Sequence, residues 1–163
     1  MSRHLIELET VLQQLVDEHR KLLAQVERQQ AAMQGFRVGE MEDIAALQEA
    51  ARLRIMKLEN HRRFLTAQLA QLYKTTGNLT VARLAEMFPA RRDPLLKLRD
   101  ELRSTIQQVM VRTQIAGRLA GAVMGHLNTV VRLLAGAVER AGVYTKSGVP
   151  KVSQRIGVME AVG

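Results

Sequence analysis

The sequence has no cysteine and no tryptophan, and only two tyrosines and three phenylalanines among its 163 residues. Without thiols there is neither a disulfide nor a thiolate metal site. With so few aromatics the interior has to be aliphatic, and stacking platforms for single-stranded nucleic acid are nearly excluded. Three prolines and eleven glycines leave long stretches unbroken, which favours helices over strands. An uncharged apolar run of the roughly 20 residues that a membrane span requires is also missing. The longest, between Arg118 and Arg132, is interrupted by His126 and Asn128. From Ser2-Arg3-His4 to Glu7 the N-terminus carries charge where a signal peptide needs an apolar stretch. A soluble, cytoplasmic protein is the expectation.

What the chain does have is aliphatic periodicity: 47% of residues are hydrophobic. Leu5, Leu8, Leu12, Leu15, His19, Leu22, Val26, Gln29 and Met33 alternate spacings of three and four, a heptad seam that predicts a first helix over 3–34. Gly35 and Gly39 bracket a short turn. A second seam, Met41, Ile44, Gln48, Ala51, Ile55, Leu58, Arg62, Leu65, Leu69 and Leu72, predicts a helix over 40–75. Two long helices joined by a short turn form an antiparallel hairpin. A short linking helix follows over 80–88, capped by Asn78 or Thr80. A third long helix then covers 94–141, opened by Asp93 as N-cap with Pro94 at the first position and closed on Gly142. The expected architecture is all-α: a long antiparallel hairpin plus a third long helix in a coiled-coil-like bundle. The bundle occupies 1–142, and a flexible C-terminal tail occupies 143–163.

The third helix is the most telling element. It holds no acidic residue between Arg103 and Glu139, and its apolar residues cover more than one seam. One runs through Ile106, Val109, Thr113, Ala116, Ala120, Val123, Leu127, Val130, Leu134, Ala137 and Ala141. Another includes Leu95, Leu98, Leu102, Leu119 and Leu133. A helix flanking one neighbour needs about one stripe. The surplus implies either two neighbours within the fold or a vacant groove for an amphipathic helix of a partner. Gly117, Gly121 and Gly125, spaced by four, form a flat ridge suited to close helix packing, inside the bundle or against that partner. Each costs about 1 kcal/mol relative to alanine in a helix interior.

Signs of chemistry are absent. None of His4, His19, His61 and His126 has a glutamate three residues before it or a histidine four residues away, so the helical di-iron and zinc spacings are missing. His19, on a seam, reads as a packed or hydrogen-bonded core histidine. No catalytic residue, metal, cofactor or small-molecule substrate is expected, and the chain is not read as an enzyme. Net charge is +8 and unevenly spread: residues 1–49 carry five Lys/Arg against nine Asp/Glu. An acidic first helix packed on basic later ones accounts for this. Arg52, Arg54, Lys57, Arg62 and Arg63, with Arg83, Arg91 and Arg92, could instead attract nucleic acid. The missing aromatics, and Pro89 and Pro94 after the short helix, argue against it.

Two long heptad helices, a short linking helix, a longer third helix and a small tail resemble the FlgN-type flagellar export chaperones. The resemblance rests most on Leu127-Asn128-Thr129-Val130-Val131-Arg132-Leu133-Leu134 and on the turn from Tyr144 to Gly148. It implies a cytoplasmic chaperone of the flagellar type III export system. Such a chaperone binds the C-terminal helical region of hook-associated proteins of the hook–filament junction, prevents their premature assembly and delivers them to the export gate. Carried onto this sequence, the client surface would be Val109, Ala116, Ala120, Val123, Leu127, Val130, Leu134 and Val138, and Tyr144 would contact the export gate protein. The alternatives are a structural coiled-coil homo-oligomer or a basic nucleic-acid-binding helical bundle.

Overall fold

The computed structural model describes residues 2–143, with side chains through Glu139. The chain divides into two compact units, Met1–Leu119 and Ala120–Gly163. Apart from the backbone of Val143, the tail expected over 143–163 lies outside the described residues, as does Tyr144.

The first unit begins with α1 (Arg3–Gln34) and α2 (Val38–Leu72). The heptad seam of α1 is its buried face: Leu5, Leu8, Leu12, Leu15, Val26 and Met33 are all buried. Leu5, Leu8, Leu12 and Leu15 join Leu65 and Leu69 of α2, Leu84 of the linking helix and Leu95 in one core. Each such side chain contributes about 1.5–3 kcal/mol on burial. The seam's polar members have partners too. Gln48 Nε2 donates to Gln29 Oε1 at 2.9 Å across the hairpin, and His19 Nδ1–H donates to the Leu15 carbonyl at 2.8 Å.

Polar pairs reveal the directions of the helices. Glu7 meets His61 at 3.2 Å, Glu18 meets Arg54 at 3.0 Å, and Gln29 meets Gln48. Numbers rise on one helix as they fall on the other, so α1 and α2 are antiparallel. Glu9 meets Arg91 (2.9 Å from Nε to Oε1), Arg20 meets Glu101 at 3.5 Å and Glu27 meets Arg112 at 3.8 Å. Here both series rise together, so the last helix runs parallel to α1. Exposed ion pairs contribute only about 0–1 kcal/mol each. The leucines hold the unit together, while the charges specify which partner lies where.

Several boundaries differ from the sequence expectation. The hairpin turn is tighter: Phe36, at φ +52°, makes the left-handed bend, and Gly39 already lies inside α2. The far end of α2 stops at Leu72, short of 75, because Lys74 (φ +50°) and Gly77 (φ +86°) turn the chain back. Helix α3 spans Val81–Met87; Thr80 caps it, its Oγ1 accepting the Arg83 N–H at 3.2 Å. Pro89–Arg91 forms a 3-10 turn that runs straight into α4 (Arg92–Val143). Asp93 is therefore not an N-cap; it and Pro94 sit within the first turn, where backbone N–H groups have no intrahelical acceptor and proline is tolerated. Gly142, expected as the C-cap, also lies inside α4.

Candidate functional site

In the second unit the described part of α4 runs from Ala120 with no proline and, before Glu139, no acidic residue. Val123, Leu127, Val130, Leu134 and Val138 recur at spacings of three and four, which puts them on one face. Val123 is half-buried, while Leu127 is 44% exposed, Leu134 61% and Val138 65%. Met124 and Val131, also exposed, lie one position along from Val123 and Val130 and widen that stripe. The sequence suits Met124 to a core or to an adaptable binding surface, but the client surface assigned from it follows one heptad seam and leaves out both residues. Their spacing of seven, continued to Val138, was the signal available. Exposed apolar side chains this numerous on one helix mark an interaction surface.

The glycine ridge is open. Beyond its own stretch of helix backbone, a Cβ built at Gly117, Gly121 or Gly125 would meet no atom of the described residues within 4 Å, so these residues supply no helix packed closely against them. Of the other residues assigned to the client surface, Ala120 is half-buried in this unit. Val109 and Ala116 belong to the first unit, where Val109 is half-buried and Ala116 only 4% exposed.

An 18-residue window within Pro89–Glu139 reaches a mean hydropathy of 1.2, none of it buried. By length and composition alone this helix passes for a membrane span, although no uninterrupted run suggested one: the average dilutes isolated polar residues. A single helix of this kind is weak evidence for a membrane. Among the described residues, no three His, Asp or Glu side chains cluster in a way that could hold a metal ion. Most of the arginines singled out for nucleic acid are engaged with acids: Arg52 with Glu49, Arg54 with Glu18, Arg62 with Glu59, Arg83 with Glu86 and Arg91 with Glu9.

A family model described as FlgN protein matches residues 1–151. The chain belongs to the FlgN family. FlgN is a chaperone family, and membership supports a role in flagellar export in general. The all-α architecture agrees with the resemblance noted in the sequence. No curated protein and no solved structure matches the chain.

Proposed function

We propose that this FlgN-family chain is a cytoplasmic flagellar export chaperone for hook-associated proteins of the hook–filament junction. Its client would be held by the C-terminal helical region, docked on Ala120, Val123, Leu127, Val130, Leu134 and Val138, with Met124 and Val131 extending the surface. The client is kept from assembling early and is delivered to the export gate protein, Tyr144 making the gate contact. Gly121 and Gly125 let the client helix approach closely. The reading involves binding alone, with no catalytic step, cofactor or small-molecule substrate.

The observation that carries it is the exposed aliphatic stripe of the second unit. A client segment that is helical only once assembled is disordered alone, and its ordering cost opposes binding. A preformed apolar helix offsets part of that cost at about 25 cal/mol per Å² buried. A second copy of the chain could cover the same stripe, which would make the protein a homo-oligomer until a client arrives. The test is to mix the purified chain with a purified hook–filament junction protein and follow mass by light scattering. A defined complex is expected, formed at the expense of any homo-oligomer. Two unassociated species, or an oligomer that the client leaves unchanged, would reject the reading.

A further inference from the structure

A cleft of about 970 Å³ opens in the first unit between the C-terminal half of α2, the loop before α3 and the early turns of α4. Its lining includes four arginines, Arg62 and Arg63 from α2 with Arg99 and Arg103 from α4, and the loop adds Asn78 and Thr80. Among the described residues, no acidic side chain lines it. Two carboxylates outside the lining balance part of the charge. Glu59 is shared by Arg62 and Arg63, and Asp100 pairs with Arg99 at 2.8 Å. Arg103 has no ion-pair partner among the described residues, and the Arg63 side chain is 71% exposed. The cleft therefore keeps an excess of about two positive charges, on forked donors suited to carboxylates.

We propose that this cleft is a second docking site, which takes an acidic polypeptide segment of a partner protein. Charge complementarity sets the sign of the occupant, and the rest of the lining sets its class. Ala67, Ala70, Leu79 and Val81 alternate with the polar groups, which suits a chain carrying both carboxylates and small apolar side chains better than a bare inorganic anion. Among the described residues no aromatic ring lines the cleft, so they give a nucleobase nothing to stack on. The chain's own last residues have the wrong sign: 144–163 carry Lys146, Lys151 and Arg155 against Glu160 alone. None of the four arginines belongs to the aliphatic stripe of α4, so this site is independent of the client surface proposed above.

The experiment titrates a short fluorescein-labelled peptide of Glu and Ala into the full chain and follows fluorescence anisotropy. Saturable binding that weakens with salt is expected. The double variant Arg63→Gln/Arg103→Gln should weaken it about tenfold or more with unchanged circular dichroism. A charge-matched control, Arg3→Gln/Arg28→Gln, removes two exposed arginines elsewhere and should change it less than about twofold. Equal losses in the two double variants would show attraction by bulk charge only and overturn the proposal. So would the absence of saturable binding, or displacement of the peptide by oligo-dT at equal charge. Self-association of the chain that Arg63→Gln/Arg103→Gln abolishes would assign the cleft to a second copy and equally overturn it.

Discussion

Glu18 lies on the hydrophobic side of α1, 9% exposed, with Lys21 at 3.1 Å and Arg54 at 3.0 Å. Burial pushes its carboxyl up, but hydrogen bonds from Arg54 and Lys21 outweigh burial and hold it below the usual carboxylate range. A carboxylate held low stabilises the fold above its unfolded value, and that stability is lost as pH falls through the folded value. Glu18→Gln should therefore be less stable than the parent at neutral pH, by on the order of 1 kcal/mol or about 2–4 °C in melting temperature. The gap should close below about pH 4. Melting curves from pH 7 to pH 3 test this; a gap that stays constant would mean that the pair contributes packing rather than charge. The sequence showed only that α1 is acidic and later helices basic. The pairing of Glu18 with Arg54 depends on the hairpin register, which the spacing of leucines leaves open by a heptad in either direction.

At the scale of elements, the heptad seams made the hairpin legible, since a leucine every three or four residues admits one helical face and one buried side. The helix ends were harder to read. Asp93-Pro94 has the composition of a start signal, yet Arg91 N–H bonds the Phe88 carbonyl at 2.9 Å and the 3-10 turn carries the helix in from upstream. The left-handed bend at Phe36 carries no local signal at all, because aromatics seldom adopt that conformation. On α4 the surplus of apolar residues was plain, but a one-dimensional pattern cannot separate a buried second face from an exposed one. The glycine ridge offers a test at this scale. Gly121→Ala and Gly125→Ala each add a methyl group where, outside the helix's own backbone, no atom of the described residues lies within 4 Å, and each removes a flexible point. Each should stabilise the local helix by about 1 kcal/mol and slow amide exchange over 120–139 about fivefold. If the client helix lies against the ridge, the same methyl groups should weaken client binding. Slower exchange with unchanged affinity would remove the glycines from the docking surface and leave the aliphatic stripe to stand alone.

At the scale of the molecule, the two units differ in having a core. The first buries a leucine core on α1 and crosses its helices with ion pairs, whereas the second leaves Met124, Leu127, Leu133, Leu134 and Val138 in the open. Their exposure carries a solubility risk that a stable monomer with no partner would have no reason to retain. Under the function proposed above, that exposure is where a client docks. The client surface is the central claim, and calorimetric titration of the C-terminal segment of a hook–filament junction protein tests it most directly, with the parent chain set against Leu127→Asp. The parent should bind with roughly micromolar to nanomolar affinity. Leu127→Asp, at an exposed position, should melt within about 0.5 kcal/mol of the parent and yet bind at least tenfold more weakly, the order expected of a central anchor. Equal affinities for the two proteins, at equal helicity, would contradict the account.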